Sequence, residues 1–435
     1  MKPASLRVII YALLGINAAI ILGWWLIYSG LPATTTAAKL IALGRLAGLV
    51  AAYAALIELF LMSRLTSVER AFGLERLVNL HRWNGQIVFY SIILHPILLS
   101  YGYQVNGQPS PLGQFLVFLR TYPDMIKALI GTILFLSVGG LSYSLIRKRI
   151  SYEAWYIVHL TAYVAIVLAF SHQLSTGGDF IGHKIFSLYW VSLIIATFAL
   201  IGVYRFISPV LILLYNKPHV SRVEAVSKGV FSVYIAGQHF DRLQIRAGQY
   251  FGFQFLGSSL WGQSHPFTIS KNPTDTELRI TFKIYGGYTS GLSKIKPGTK
   301  VLLDGPRGNS TWKRSRLSKT LMIAGGIGIT PMRSLIEAAP KGQDITLLYA
   351  CNNPEEAPLL GELKTIKTQA TFKLVPVFSN IDGRLTPELI QQFVPDVTTR
   401  EIYLCGPDPM VKSLTSYLKS IKIADENIHT ERFSY

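Results

Sequence analysis

Apolar positions are not spread evenly along this chain. Six stretches, roughly 8–30, 38–62, 82–103, 123–146, 154–174 and 184–207, are mostly apolar. Each reaches the ~20 residues that a helix needs to cross a membrane. Beyond residue 216 the pattern changes. Residues 217–315 show short alternating runs, such as Val230 to Ile235 and Tyr250 to Phe255, broken by Gly and Pro. That pattern predicts an antiparallel β-barrel. Residues 316–435 read as strand and helix in turn, with strands at Leu321–Ala324, Ile345–Ala350, Phe372–Phe378 and Glu401–Leu404. Helices are expected to begin near Pro331, Pro354, Thr386 and Asp408. Such alternation predicts a parallel sheet with crossover helices, an α/β domain. The fold class is multi-domain: a six-helix transmembrane bundle over 1–216, a β-barrel over 217–315 and an α/β parallel-sheet domain over 316–435.

Composition sharpens the division. The chain is 50% hydrophobic and 15% charged, which excludes disorder, collagen-like repeats and a disulfide scaffold. Its net charge is +18, but Lys and Arg gather in no basic stripe, so no nucleic-acid partner is expected. Residues 1–216 carry 15 Lys/Arg and 6 Asp/Glu, against 27 and 18 in the remainder. The apolar excess therefore sits in the first half. The first apolar run is too long for the core of a signal peptide and more spans follow, so it reads as a helix. Arg64, Arg70, Arg76 and Arg82 lie between spans two and three, and Arg147, Lys148 and Arg149 between spans four and five. By the positive-inside rule these loops and the N-terminus face the cytoplasm. Six spans then return residues 217–435 to that side, and the plasma (inner) membrane is the expected location. Cys351 and Cys405 make no metal-ligand spacing, and a reducing compartment suits them.

Ionisable groups inside spans are costly and usually line a functional interior. His81 and His95 bracket span three, and His159 and His172 bracket span five. At ~1.5 Å per residue, each pair is separated by about 20 Å along the membrane normal. The spans run in the same direction. His81 can meet His159 at an inner level and His95 can meet His172 at an outer level. Two facing imidazoles can ligate a haem iron axially. At ~100° per residue, a 14-residue spacing returns to nearly the same face, whereas 13 misses by about 140°. Span five is therefore expected to be overwound, loosened or bulged between its histidines, and Pro96 to disturb span three. Arg45, near the outer end of span two, either holds a haem propionate or anionic acceptor, or snorkels to the interface. Glu58, near the inner end, reads as a structural contact.

The second half carries phosphate-binding turns. Gly325-Gly326-Ile327-Gly328-Ile329-Thr330-Pro331 follows a strand and opens a helix, where glycines admit a pyrophosphate and the helix N-terminus favours the anion. Cys405-Gly406-Pro407 ends a later strand. Ligands of such sheets bind at the carboxyl ends of strands, so both turns can face one dinucleotide. In the barrel, His265-Pro266-Phe267-Thr268-Ile269-Ser270 and Gly286 to Ser290 offer hydroxyls and glycine amides for a flavin.

Read in order, these motifs resemble the NADPH oxidase and ferric reductase family, most closely its compact bacterial oxidases, over nearly the whole chain. The histidine spacings, Tyr152-Glu153-Ala154-Trp155 before His159, and the cytoplasmic turns carry the resemblance. It implies a ferredoxin reductase-like module that binds FAD and NAD(P)H. Two b-type haems on His81, His95, His159 and His172 would pass electrons to O2, giving superoxide, or to a ferric chelate. It places His265, Thr268, Gly286 and Thr289 at the flavin and Arg45 at the outer haem. An aromatic residue from Glu431-Arg432-Phe433-Ser434-Tyr435 would lie over the flavin, Phe433 being the choice and Tyr435 the alternative. The animal oxidases carry a second histidine where this chain has Leu99, which weakens the oxygen-specific reading. Related NADPH enzymes often carry Arg where Asn352 stands, and Glu355 and Glu356 follow, so NADH is expected to serve at least as well as NADPH. Reduction of an extracytoplasmic protein partner is a competing function. A transporter with a nucleotide-sensing domain is another, although no span has the paired Gly/Pro interruptions of a transporter. No EF-hand loop or long Pro-rich segment calls for a cytosolic activator.

Overall fold

A computed structural model describes residues 3–105, 110–143, 149–150, 152–260, 262–312 and 315–432, without the side chains of Pro3, Ala4, Glu75, Tyr152, Glu153 and Arg432. Arg147, Lys148, Phe433 and Tyr435 lie outside these residues. The chain divides into two compact units, Met1–Tyr204 and Arg205–Tyr435.

Six helices of the first unit and its junction are long and apolar enough to cross a membrane: Ser5–Gly30, Thr36–Leu61, Arg76–Val105, Met125–Ser142, Ala154–Thr176 and Lys184–Asn216. The chain is a multi-pass membrane protein. Its helices are α1 Pro3–Trp25, α2 Thr36–Leu61, α3 Thr66–Phe72, α4 Leu74–Val105, α5 Pro111–Thr121, α6 Met125–Ser142, α7 Tyr152–Thr176 and α8 Lys184–Ile201. A π-helical turn, Leu26–Gly30, closes α1, and another, Gly202–Ile207, leads from α8 into α9, Ser208–Asn216.

Small residues bring these helices together, because side chains of one methyl or none let backbones approach closely. In α2, Ala42, Ala47, Ala51, Ala54 and Ala55 are buried. Gly44 meets Leu99, and Gly102 of α4 meets Ile41. Likewise Gly131 of α6 faces Ala165 and Ala169 of α7. Thus α2 packs along α4 and α6 along α7, whereas among the described residues α4 and α7 share no extended contact.

Two expectations about these helices are corrected. Helix α7 remains α-helical from Tyr152 to Thr176, with no bulge between His159 and His172. Because α4 and α7 stand apart, an imidazole can enter the space between them from either flank of α7. Helix α4 also runs unbroken through Pro96.

In the second unit, β1 His219–Ser227, β2 Val230–Ala236 and β5 Glu277–Lys283 form one antiparallel sheet. A second joins β4 His265–Thr268, β3 Tyr250–Phe255 and β6 Val301–Arg307. Isolated bridges at His219↔Lys300 and Ile269↔Ile280 connect them. Both enclose one core, with Val233, Ile235, Phe251, Phe253, Phe255 and Ile280 fully buried. Ile212 of α9 joins that core.

The remaining strands make a parallel sheet of order β11-β10-β7-β8-β9. They are β7 Lys319–Gly325, β8 Asp344–Cys351, β9 Thr371–Phe378, β10 Glu401–Gly406 and β11 Ile428–Arg432, interleaved with α11 Ile329–Glu337, α12 Leu360–Thr365, α13 Pro387–Phe393 and α14 Asp408–Ser420 (α10, Gly287–Leu292, precedes them). Leu321, Ile323, Leu348 and Leu404 feed the core on one face, and Met322, Leu347, Tyr349 and Tyr403 the other. Strands apolar on both faces are what helices on both sides require. One expected helix start moves: near Pro354 the chain only turns, and the helix begins at Leu360. Pro358 explains this, since a proline disfavours the α conformation in the residue before it.

An ion network ties the antiparallel sheets to α11 and α12. Buried Arg279 donates to Glu362 at 2.8 Å, and Arg333 donates to the other oxygen of Glu362 at 2.9 Å and also pairs with Glu337. Glu337 in turn accepts from the backbone N–H of Asn272 at 2.6 Å.

Candidate functional site

The four histidines form two pairs. His81 faces His159 with ring centroids 5.8 Å apart, and His95 faces His172 at 6.3 Å. Among the described residues no three or more His, Cys, Asp or Glu cluster as a metal cage, so each pair stands as a two-imidazole arrangement. Three of the rings are oriented by a close neighbour. Nδ1 of His95 lies 2.7 Å from the carbonyl of Gly44. That contact assigns the proton to Nδ1 and leaves the lone pair on Nε2. Trp155, one turn before His159, stacks on it at 4.9 Å and 29°. Nδ1 of His81 lies against the carboxylate of Glu58.

Arg45 does not snorkel. Its Nη1 donates to Ser29 Oγ at 3.4 Å, and Ser29 donates to Asp179 at 2.6 Å. Gly178 makes room, since a Cβ there would stand 2.6 Å from the guanidinium carbon. Ser29 and Asp179 are buried, and neither was legible as a partner from sequence, because 150 residues separate them. The π-turn that holds Ser29 was the missing element.

The flavin candidates fall on β4 and α10. His265 lies tilted against Tyr288 with centroids 3.7 Å apart, and Phe267 stacks on the same ring at 6.4 Å. Pro266 pairs with Gly252, and Thr268 pairs with Tyr250 and is buried. Gly286 has φ +97, a conformation few other residues adopt. Thr289 Oγ1 accepts from the Tyr285 N–H at 2.7 Å and donates to the Gly286 carbonyl, so it shapes the turn. Tyr288, a residue not singled out from sequence, carries a buried hydroxyl with no hydrogen-bond partner. Ser270 is a correction. It is fully buried and its hydroxyl is committed to Thr281 at 2.7 Å and to Arg279, so it braces the sheet and offers nothing to a ligand.

The two nucleotide turns interlock. A Cβ on Gly328 would stand 2.7 Å from the Cys405 carbonyl carbon, and one on Gly325 would stand 2.8 Å from Pro407. A Cβ on Gly406 would stand 3.1 Å from the Gly325 Cα. These three glycines serve contact between turns. Gly326, at φ +53 with open space beside it, faces no such crowding. Thr330 Oγ1 donates to the Ile327 carbonyl at 3.2 Å, and Pro331 is buried at the helix start. The Cys405 side chain is buried in the core, which pushes its thiol pKa up. Both cysteines are free.

Family models match three consecutive parts of the chain: a ferric reductase like transmembrane component at 47–170, an FAD-binding domain at 216–311 and an oxidoreductase NAD-binding domain at 322–416. The chain has the NADPH oxidase and ferric reductase-like architecture. Its domains are those of a membrane oxidoreductase. Curated relatives of this architecture's second half include flavohemoprotein A of Dictyostelium discoideum, 27% identical over 182 residues, covering 38% of this chain and 46% of that one. The reductase component of propane 2-monooxygenase from Rhodococcus jostii is 25% identical, covering 50% and 63%. NADH-cytochrome b5 reductase 1 of Laccaria bicolor is 29% identical, covering 35% and 56%. The chain thus matches about half to under two-thirds of the length of these relatives. Among solved structures, the ferredoxin reductase in carbazole 1,9a-dioxygenase is 21% identical with a TM-score of 0.43, covering 50% of this chain and 68% of that one.

Proposed function

We propose that this chain is a transmembrane NAD(P)H oxidoreductase that passes electrons from cytoplasmic NAD(P)H through FAD and two b-type haems to an extracytoplasmic acceptor, O2, with superoxide as product. The observation that carries this reading is the pair of imidazole couples at two depths. Two imidazoles sharing one metal, each at ~2 Å through a nitrogen about 1.2 Å from its ring centre, have centroids roughly 6.4 Å apart. The outer separation of 6.3 Å meets that value, and the inner one, 5.8 Å, lies about 0.6 Å inside it. The partnerless Tyr288 hydroxyl and the open, left-handed Gly286 fit a flavin in the same way.

FAD, when bound, takes a hydride as an electron pair and releases electrons singly, and haem iron takes them one at a time. The chain's own residues do the positioning. The Gly44 carbonyl holds the proton of His95 on Nδ1, and Trp155 fixes the plane of His159. Arg45, braced by Ser29 and Asp179, supplies a fixed positive charge at the outer level for a propionate or an anionic acceptor. His265, Pro266, Phe267, Thr268, Gly286, Thr289 and Tyr288 shape the flavin site, while Gly325, Gly326, Gly328, Thr330, Pro331, Cys405, Gly406 and Pro407 build the nicotinamide nucleotide site. Strand β11 pairs with β10 until Arg432 stands opposite Gly406. This supports Phe433 as the aromatic residue that gates hydride transfer. Domains at 1–216, 217–315 and 316–435 complete the reading, the first in the inner membrane and the last two, a barrel and a ferredoxin reductase-like α/β fold, in the cytoplasm.

A ferric chelate is the second acceptor to test, because Leu99 packs against Gly44 where a titratable side chain would serve oxygen chemistry. Detergent-purified protein with FAD and NADH or NADPH decides between them. Oxygen-dependent reduction of cytochrome c that superoxide dismutase abolishes supports the oxidase. Dismutase-insensitive reduction with brisk anaerobic ferrous formation supports the reductase. No haem absorbance at all would sink both.

A further inference from the structure

We propose that Glu58, held in place by Asn84, is a positioning residue that keeps the inner haem at a lower potential than the outer one. The inference rests on the two-haem reading above. Glu58 lies in α2 and His81 in α4, and the carboxylate sits against Nδ1 of the imidazole, which would leave Nε2 for a shared iron. Asn84, one turn beyond His81 on the same face of α4, donates at 2.6 Å to Oε1 of Glu58 and at 2.8 Å to the carbonyl of Ala54. Glu58 is thereby fixed from two sides, with only 13% of its side chain exposed. The outer level is built differently: there the ring behind the ligand nitrogen meets a neutral backbone carbonyl, Gly44, at 2.7 Å.

This asymmetry has a direction. By its charge, a carboxylate against Nδ1 favours a proton on that nitrogen more than a neutral amide carbonyl does. It therefore leaves more electron density on Nε2 and makes the ligand more basic. A more basic ligand stabilises ferric over ferrous iron. A fixed negative charge in a low-dielectric span adds to the same preference by Coulomb attraction. Electrons that enter at the inner level are then released downhill to the outer one. A carboxylate within a membrane span is costly, and a helix-pinning role alone needs no charge, because a glutamine at 58 could still accept from Asn84.

The test is an anaerobic redox titration of haem absorbance on the full chain in lipid nanodiscs, comparing wild type, Glu58→Gln, Glu58→Asp and Asn84→Ala. The expected wild type titrates in two steps. In Glu58→Gln the lower step moves up towards the other, with two haems per chain retained, and Glu58→Asp restores the separation. Unchanged midpoints in Glu58→Gln overturn the proposal and leave Glu58 as a strut. Should Glu58→Gln lose the inner haem, Asn84→Ala decides: a raised lower midpoint supports the proposal and an unchanged one overturns it. A wild type without two haems fails the underlying reading instead, a result visible from haem content before any titration.

Discussion

Gly48 of α2 lies directly behind His95: a Cβ built on it would stand 2.7 Å from Nδ1 and 2.8 Å from Cε1 of that ring. The space that the imidazole occupies exists only because position 48 has no side chain. Overpacking of this kind costs about 1–3 kcal/mol when neighbours must shift, and here the neighbour to shift is the proposed ligand. Gly48→Ala is expected to lower haem content from two per chain towards one, read by pyridine haemochrome, while the FAD-to-protein ratio stays constant. Full haem content would show that His95 has freedom the packing does not suggest.

His172 stands opposite His95 and belongs to the outer pair alone. His172→Leu is expected to lose one haem and to abolish reduction of an external acceptor, while NADH still bleaches the flavin at the wild-type rate in stopped-flow absorbance. Wild-type acceptor reduction in this variant would mean that electrons take another path.

The proposed nucleotide site extends past the end of β8. Asn352 donates to Glu356 at 3.4 Å, and its carbonyl accepts from Asn380 at 3.1 Å. If position 352 faces the 2′ group, as the proposed reading has it, a carboxylate lies beside the place from which an arginine would grip a 2′-phosphate. NADH is expected to be used at least as well as NADPH. The double change Asn352→Arg with Glu356→Gln is expected to raise kcat/KM for NADPH relative to NADH by about tenfold, the value of one charge-assisted contact of ~1.4 kcal/mol. Steady-state kinetics with both nucleotides checks it, and an unmoved ratio places the 2′ site elsewhere.

Glu401 is fully buried in β10. It accepts from the Arg316 N–H at 2.7 Å, from Ser315 Oγ at 2.8 Å and from the Leu317 N–H at 3.3 Å, and it meets His429 Nε2 at 2.6 Å. Burial alone raises a carboxyl pKa, but the contacts from His429, Arg316, Ser315 and Leu317 outweigh it and hold Glu401 below its usual range. The folded value lies under the unfolded one, near ~4.3. Its contribution is complete above the unfolded value and is lost as pH falls through the folded value. Glu401→Gln is expected to cost about 1.5–3 kcal/mol at neutral pH, and the two unfolding curves should converge in acid as pH falls through the folded value. Thermal unfolding followed by flavin release measures this, and a pH-independent difference would assign the loss to shape alone.

Much of this arrangement is legible in the sequence because it is local. Apolar length reveals the spans, and ionisable residues inside them stand out: His81, His95, His159 and His172 announce themselves by residue type and spacing. The turns at Gly325 and Cys405 are visible as strand ends. What escapes is the pairing of distant residues. Nothing near Arg45 points to Ser29 or Asp179, and nothing near His81 distinguishes Glu58 from an ordinary end-of-helix contact, since helix register in three dimensions decides both. Ser270 misleads for the related reason that a hydroxyl after a strand looks alike whether it meets a ligand or Thr281. The helical-wheel objection to His172 fails because it assumes two helices packed along one another, and among the described residues α4 and α7 share no extended contact.

The pairing of β11 with β10 runs without a register shift from Ile402↔Ile428 to Gly406↔Arg432. Five residues thus carry the chain from the base of the sheet to the turn at Gly406. Each contributes about 3.3 Å, and successive side chains alternate between the two faces of the sheet. Deleting one residue would leave the strand a full step short and send its side chains to the opposite faces. Strand β11 is therefore a ruler as well as an edge: its length in residues fixes the point from which whatever follows Arg432 departs.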